Sequence, residues 1–154
     1  MNFAPDRTIK FMSYAAEEVG LRGSGDIAAQ FKNQNQHVMG VLQFDMTNYT
    51  KREKEIVLIT DYTDLGQNSY MKQLISTYLP EFKVKEERCG YACSDHASWN
   101  RHGFPVSFPF ETRMDEYNQN IHTENDTLDV SQNNANHTVT YAQLALAYII
   151  EMGL

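Results

Sequence analysis

Four short segments of the chain have the hydrophobic pattern of β-strands. Residues 8–14 alternate polar with apolar side chains, the period of a strand that buries one face. Residues 38–44 and 56–60 are nearly continuous apolar runs, which are typical of strands buried on both faces. Residues 106–110 are a shorter segment rich in aromatic side chains. The pattern therefore predicts four strands.

Three other segments have the pattern of helices. Apolar side chains recur at helical spacing through residues 21–34 and 69–78, so one face of each predicted helix can be buried. Residues 139–152 are apolar on nearly all sides, which is typical of a fully buried helix. The polar, Asn-rich stretch 115–136 before it predicts a loop.

Strands that alternate with helices predict an α/β protein. We expect a three-layer α/β/α sandwich around a mixed, mostly parallel sheet. The chain enters a strand almost at once, with no earlier element to flank it. We therefore expect residues 1–154 to form an incomplete half-domain, the later part of a larger α/β domain.

Composition and charge exclude some classes of function but do not identify one. The 154 residues are 42% hydrophobic and 21% charged, which is enough apolar material for a core. The formal net charge of −7 argues against nucleic acid or an anionic membrane as a partner, because both need clustered Lys and Arg. The longest apolar run, 144–150, is too short to span a bilayer. Residues 1–10 lack the apolar core of a signal peptide.

Acidic residues follow three of the predicted strands, at the edge of the sheet where α/β proteins bind ligands. They are Glu17 and Glu18 after the first strand, Asp45 after the second, and Asp61 and Asp64 after the third. Carboxylates that converge in one crevice repel each other unless a cation, a shared proton or a basic partner neutralises them. The pattern indicates a metal or acid–base site, although each acid taken singly is more typical of a solvated loop.

Histidine and cysteine offer further candidates. His122 lies in the polar loop before the last helix, and Asp126 is placed to orient it, although a lone histidine there is more typical of a protein surface. Cys89 and Cys93 fit either a disulfide in an oxidising compartment or two reduced thiols. His96 lies three residues after Cys93, so the two could form a nucleophilic Cys–His pair. A disulfide from Cys93 to Cys89 would remove that nucleophile.

Aromatic and methionine side chains crowd residues 91–117. They fit either ordinary core packing or an apolar pocket beside the acids, suited to a hydrophobic side chain of a ligand. The members are Tyr91, Trp99, Phe104, Phe108, Phe110, Met114 and Tyr117.

Six segments match the motifs of one known family in the same order. The segments are Tyr-Ala-Ala-Glu-Glu-Val-Gly-Leu-Arg-Gly-Ser (14–24), Leu-Gln-Phe-Asp-Met-Thr-Asn-Tyr (42–49), Ile-Thr-Asp-Tyr-Thr-Asp (59–64), Cys-Gly-Tyr-Ala-Cys-Ser-Asp-His-Ala-Ser-Trp (89–99), Pro-Phe-Glu (109–111) and Ile-His-Thr-x-x-Asp-Thr-Leu (121–128). On these residues the chain resembles the secreted two-zinc aminopeptidases of family M28, in particular the Vibrio-type bacterial leucyl aminopeptidase. The similarity runs over residues 3–153. It implies that residues 1–154 are the C-terminal part of a single zinc-peptidase catalytic domain, secreted or periplasmic when intact.

The resemblance assigns roles to five polar residues. Glu17 matches the general base that takes a proton from the metal-bound water. Glu18 and His122 match two ligands of one zinc, and Asp45 matches a ligand of the second. Tyr91 matches the phenol that hydrogen-bonds the developing oxyanion.

The resemblance also implies a disulfide between Cys89 and Cys93 beside a pocket for the N-terminal side chain of the substrate. Phe108 and Met114 exchange a Met and a Phe relative to the family pattern, which keeps the volume and the apolar character. The pocket positions are Met46, Ile59, Cys93, Phe108, Phe110, Met114, Tyr117 and Ile121.

One part of the family pattern has no match. The family also uses a His and a bridging Asp from an earlier part of its domain, and the matched motifs here begin after both. The bridging carboxylate holds two metals ~3.5–4 Å apart in two-metal hydrolases, so we expect at most one zinc instead of the two of the intact site.

The intact enzyme is expected to hydrolyse the N-terminal peptide bond of peptides with a large apolar first residue, with activity absent or impaired in this chain. The implied partners are peptide substrates and the missing N-terminal half of the domain, with no nucleic acid and no membrane. Two alternatives stay open: a non-catalytic remnant that binds peptides, and a cysteine hydrolase that uses Cys93.

Overall fold

A mixed β-sheet and four α-helices organise the chain in a computed structural model that describes residues 4–153. Residues 1–3, the start of the segment considered for a signal peptide, and residue 154 lie outside the described part. The elements are α1 (Arg22–Asn33), β1 (Val41–Leu42), β2 (Glu55–Ile59), α2 (Leu65–Tyr78), β3 (Lys83–Glu87), α3 (His96–Arg101), β4 (Val106–Phe110), a short 3₁₀ helix (Leu128–Ser131) and α4 (Asn136–Gly153).

The four strands lie in the order β1-β4-β2-β3. β1 pairs with β4 and β2 pairs with β3 in parallel, with Val41 opposite Val106 and Ile56 opposite Val84. β2 and β4 run antiparallel, with Val57 opposite Phe110. The sheet is therefore mixed and mostly parallel, as the sequence predicts.

Alternate residues of the central strands face two helical layers. On one face, Ile56 and Leu58 of β2 pack with Met71 of α2 and Leu144 of α4. On the other face, Val106 of β4 packs with the Ala28 and Trp99 side chains of α1 and α3. These contacts make the chain a three-layer α/β/α sandwich, which confirms the predicted fold class. None of the described helices is long and apolar enough to cross a membrane.

The predicted strand at residues 8–14 is wrong. These residues have no regular secondary structure, and the Phe11 side chain is 86% exposed. The alternation that suggested a strand is still meaningful, because Met12 and Tyr14 point towards the cluster around Trp99 and the indole of Trp99 donates a hydrogen bond to the Tyr14 hydroxyl. Within the described residues no strand forms a hydrogen-bonded ladder with this segment, and a strand needs such a partner.

The predicted buried strand at residues 38–44 is also only partly correct. Just Val41 and Leu42 form β1, and both are half-buried. β1 lies at the edge of the described sheet and pairs on one side, with β4. An apolar run thus marks a strand, but its burial on both faces depends on neighbours that the run does not specify.

Two elements escape the hydrophobic pattern. β3 has the sequence Lys-Val-Lys-Glu-Glu and is a largely exposed edge strand, so it lacks an apolar signal. α3 has six residues, too few to show a helical period. The prediction for the last helix is wrong in one respect: α4 buries Leu144 on one side but leaves Val139 and Leu146 more than half exposed.

Candidate active site

A cleft of about 780 Å³ brings together the five polar residues that the resemblance selects. Four separate loops supply them: the turn before α1, the loop after β1, the loop between β3 and α3, and the long loop after β4. The residues are Glu17, Glu18, Asp45, Tyr91 and His122.

The turn that carries the two glutamates is fixed by its backbone. The Gly20 and Leu21 amides donate to the Glu17 carbonyl at 3.0 and 2.9 Å, and Leu21 adopts a left-handed conformation with φ of 56°. Gly23 in the first turn of α1 packs so closely that a Cβ there would lie 2.5 Å from the carbonyl oxygen of Ala15. This tight contact joins the turn rigidly to the start of α1.

Glu17 and Glu18 lie in different environments although they are adjacent. Glu17 is half-buried, and burial together with the neighbouring carboxylates of Asp45 and Glu18 raises its pKa. Glu18 is exposed, and its Oε1 lies 2.9 Å from Nε2 of His122. Glu17 thus has the character of a proton acceptor, whereas Glu18 and His122 present two ligand atoms side by side.

Asp45 directly follows the short ladder of β1 and points into the same cleft. Its Oδ2 accepts a hydrogen bond from Ser94 Oγ at 2.8 Å, and Ser94 Oγ in turn accepts from Gln43 Nε2 at 3.3 Å. Asp95, the next residue, also lines the cleft, and burial raises the pKa of its carboxyl. Sequence reasoning assigned no role to Ser94 or Asp95, because their partners are distant in sequence.

Tyr91 lies on a loop that a disulfide closes. Cys89 and Cys93 are bonded, with their Cα atoms 6.2 Å apart, and the Tyr91 side chain between them is 63% exposed at the rim of the cleft. The disulfide that the resemblance implies is therefore present. It leaves the phenol accessible to a ligand.

Asp61 and Asp64 are candidates that the structure places outside the cleft. The Asp61 carboxylate accepts from the Gly90 amide at 2.7 Å and from Arg88 Nε at 2.8 Å. Burial alone would raise the pKa of Asp61, but these donors together lower it. Asp64 caps α2, where its Oδ1 accepts from the Gln67 amide at 2.7 Å. Both acids have structural roles.

The proposed partnership of Asp126 with His122 is not what the geometry shows. Asp126 lines the cleft, but its Oδ1 accepts a hydrogen bond from the Asn118 side-chain amide at 2.7 Å. That bond ties together two parts of the long loop after β4. Asp126 therefore shapes the loop that carries His122, and the imidazole has Glu18 as its neighbour.

Seven of the eight predicted pocket residues form one apolar cluster beside the cleft. Ile59, Phe108 and Phe110 are buried at its centre. Ile121 is separate from this cluster and lines the cleft itself. Val57 is also buried at the centre, and around it pack Met46, Cys89, Cys93, Met114 and Tyr117.

The cysteine hydrolase hypothesis is wrong. Cys93 is oxidised, so it offers no thiolate nucleophile. His96 is buried, its Nε2 lies 3.0 Å from the Asp61 carbonyl oxygen, and its ring packs at a tilt against Phe108. Burial lowers the pKa of His96 to about 4, so the ring is neutral near pH 7.

Zinc is the metal that the resemblance implies, and the donor types in the cleft fit it. Carboxylate oxygens of Glu18 and Asp45 and the imidazole of His122 are all zinc ligands in proteins. The 2.9 Å contact between Glu18 and His122 brings two of them close enough to share an ion. Within residues 4–153, no group of three His, Cys, Asp or Glu side chains is arranged to hold a metal. The described residues thus supply fewer ligands than the three protein ligands of a usual catalytic zinc.

The family assignment rests on a match along most of the chain. The family model described as peptidase family M28 matches residues 1–147. The chain belongs to peptidase family M28. The narrower resemblance to the Vibrio-type enzyme stays a prediction.

Relatives in the M28 family carry aminopeptidase names. A probable aminopeptidase of Saccharomyces cerevisiae is 39% identical over 153 residues, which cover 98% of this chain and 40% of the yeast protein. Leucine aminopeptidase 1 of Penicillium rubens is 38% identical over 151 residues, covering 94% of this chain and 38% of the fungal protein. The crystal structure of the LapA aminopeptidase of Legionella pneumophila superposes with a TM-score of 0.85 at 42% identity, covering 91% of this chain and 38% of LapA. The chain thus spans about two fifths of the length of these M28 proteins.

Proposed function

We propose that this chain contributes to the active site of a zinc-dependent aminopeptidase that releases large apolar residues from peptide N-termini. The observation that carries the proposal is the single cleft that gathers Glu17, Glu18, Asp45, Tyr91 and His122 beside an apolar cluster. A general base, ligands for a cation, an oxyanion donor and a side-chain pocket are the parts that hydrolysis of an N-terminal peptide bond requires.

Glu17 is the general base in this proposal. Its pKa is raised by burial and by the surrounding carboxylates, so it holds a transferred proton better than an exposed glutamate does. It accepts the proton of the attacking water and returns it to the leaving amine. Tyr91 donates a hydrogen bond from its phenol to the oxygen on which negative charge develops.

Glu18 and His122 would hold one zinc ion, and Asp45 would be a ligand of a second ion in the complete site. Zinc, when bound, acidifies a water molecule and polarises a carbonyl. Because the described residues bring only the pair Glu18 and His122 together, we expect this chain on its own to bind at most one zinc and to turn over substrate poorly or not at all.

The apolar cluster would determine which peptides are accepted. Ile59, Phe108 and Phe110 provide a buried aliphatic and aromatic wall, and Met114 is a flexible neighbour that can adapt to the ligand. Such a site favours a large apolar N-terminal side chain because burying it removes apolar surface from water.

A second groove lies at the edge of the sheet. We propose that the remaining part of an M28 domain packs into it. The groove has a volume of about 1120 Å³ and lies between residues 7–14, β1 and α4. Its rim leaves Phe11 and Met39 exposed to 86% and 43%. Covering this groove would bury apolar surface at the edge strand of the sheet.

The disulfide also supports a location for the intact enzyme. A bond such as Cys89–Cys93 persists in oxidising compartments, so we place the protein outside the cytoplasm, in the periplasm or the medium.

A non-catalytic peptide-binding protein is the second candidate. It is favoured by one observation, the lack of a three-ligand metal group within residues 4–153. In that case the apolar cluster binds peptides while the acids have no catalytic task.

One experiment separates the two candidates. We would assay hydrolysis of a leucine chromogenic amide by the zinc-supplemented chain, with and without the rest of an M28 domain supplied in trans, and measure peptide binding in parallel. The aminopeptidase proposal requires turnover that Glu17→Gln abolishes and that Glu81→Gln, at an exposed acid outside the cleft, leaves unchanged. Peptide binding without turnover under every condition would favour the non-catalytic protein.

A further inference from the structure

Glu111 is a buried acid at the end of β4 that the proposed chemistry does not use. It follows directly on the fully buried strand Val106–Phe110 and is itself only 3% exposed. Among the described residues no Lys, Arg or His side chain forms an ion pair with it. Burying a carboxylate without a cation is unfavourable, so a fold that keeps one needs strong hydrogen bonds to it.

Two consecutive backbone amides supply those bonds. The Asn48 and Tyr49 amides both donate to Oε2 of Glu111, at 2.6 and 2.8 Å. Burial, opposed by these donors, raises the pKa of Glu111 to about 7. One carboxylate oxygen thus fixes the loop that follows Asp45.

The same loop contains a strained backbone. Met46, the residue after Asp45, has φ of 57°, in the left-handed region that residues other than glycine seldom occupy. Such a conformation persists where the surroundings determine it. Asn48 provides further anchors, because its Nδ2 donates to the Asn134 carbonyl at 2.8 Å and its Oδ1 accepts from the Thr138 hydroxyl at 3.2 Å.

We propose that Glu111 is a positioning residue that holds the loop 46–49 and thereby directs Asp45 into the cleft. The importance of Asp45 for catalysis rests on the proposed function, whereas the mechanical link from Glu111 to Asp45 does not. The chain turns sharply at Met46, so releasing the Asn48 and Tyr49 amides lets that turn relax. Asp45 then moves away from Ser94, whose hydroxyl donates a hydrogen bond to Asp45 Oδ2 at 2.8 Å in the present structure.

The test compares substitutions that separate the hydrogen-bond acceptor from the charge. Glu111→Gln keeps a carbonyl oxygen and removes the charge. Glu111→Asp keeps the charge but withdraws the oxygen by one methylene. Glu111→Leu keeps the volume and removes the acceptor. Glu55→Leu is the matched control, because Glu55 is a buried acid of β2 that pairs with Arg113 and does not touch the loop.

Amide hydrogen exchange by NMR on the metal-free chain gives the first measurement. We expect exchange of the Asn48 and Tyr49 amides to accelerate at least tenfold in Glu111→Leu and Glu111→Asp, and the Met46 Cα and Cβ shifts to move away from left-handed values. Glu111→Gln is expected to stay within about threefold of the wild type, and Glu55→Leu to leave these signals in place. If Glu111→Leu does not fold, Glu111→Asp carries the same prediction.

Crystal structures of the same variants give the second measurement. The Asp45–Ser94 contact should break in Glu111→Asp and persist in Glu111→Gln. Unchanged exchange and an intact contact in Glu111→Asp, or equal changes in Glu55→Leu, would overturn the proposal. Because neither measurement involves zinc or turnover, a chain that failed to bind zinc would contradict the proposed function and leave this inference standing.

Discussion

The carboxylate of Asp61 accepts a hydrogen bond from the Gly90 amide at 2.7 Å and so anchors the loop that the Cys89–Cys93 disulfide closes. Gly90 has φ of 86°, a conformation that suits glycine, and Tyr91 follows it at the rim of the cleft. An acid that looks like a candidate metal ligand in the sequence therefore fixes the position of the candidate oxyanion donor.

Replacing Asp61 by Ala should loosen this loop. The change leaves the Gly90 amide and the Arg88 guanidinium without their acceptor, so we expect a loss of about 1–3 kcal/mol of stability and faster reduction of Cys89–Cys93 by dithiothreitol. Thermal melting and alkylation followed by mass measurement report the two effects. Asp64→Ala is the control, since it removes the cap of α2 at a cost of about 1 kcal/mol and should not alter the reduction rate. Equal reduction rates in all three proteins would contradict the anchor.

Zinc binding should depend on His122. We expect the wild-type chain to bind one zinc weakly through Glu18 and His122, and His122→Ala to lose at least tenfold in affinity, about 1.4 kcal/mol. Calorimetric titration is the measurement, and His37→Ala, outside the cleft, is the control. The same affinity in wild type and His122→Ala would remove His122 from the site.

Glu111 should make the stability of the chain fall as pH rises from about 4.5 to about 7. Its carboxyl is neutral in the folded state up to about pH 7, whereas the unfolded chain ionises near 4.5, so the folded state loses its relative advantage across that range. One pKa unit corresponds to ~1.36 kcal/mol, so the loss is of order 3 kcal/mol.

Urea denaturation at a series of pH values tests this titration by comparison with Glu111→Gln, which cannot ionise. His96 and His137 titrate in the opposite sense, because burial lowers the pKa of each and so destabilises the fold in acid. Both histidines are present in the two proteins, and His137 lies against the backbone carbonyl of residue 111, which Glu111→Gln keeps. The difference between wild type and variant therefore isolates Glu111. A difference that does not change between pH 4.5 and 7 would contradict the raised pKa.

The groove beside residues 7–14 should make the isolated chain associate. We expect marginal stability and dimers or aggregates at micromolar concentration, because the groove exposes apolar side chains at the edge of the sheet. Light scattering with thermal melting is the measurement. Phe11→Ser should reduce association, whereas Leu65→Ser, at an exposed apolar residue outside the groove, should not. A monodisperse monomer with a sharp mesophilic melt would show that the groove needs no cover.

Hydrophobic periodicity alone determined the central part of this fold. The apolar runs at residues 56–60 and 106–110 became β2 and β4, and the helical spacing at residues 69–78 lies within α2. The predictions hold for these elements because their own side chains fill the core. The matched motifs likewise selected the five residues that meet in the cleft, whereas two of the acids after predicted strands, Asp61 and Asp64, lie outside it.

Hydrogen-bond partners that are remote in sequence decided the edge strands and the roles of the buried acids. The polar segment Lys83–Glu87 is a strand because it pairs with β2, and residues 8–14 are not a strand because no strand pairs with them in the described part of the chain. Asp61 and Glu111 resemble other acids until the fold brings the Gly90 amide to one and the Asn48 amide to the other. A side-chain period is a local property, whereas the burial of a carboxylate and the donors that meet it exist only once distant segments have packed together.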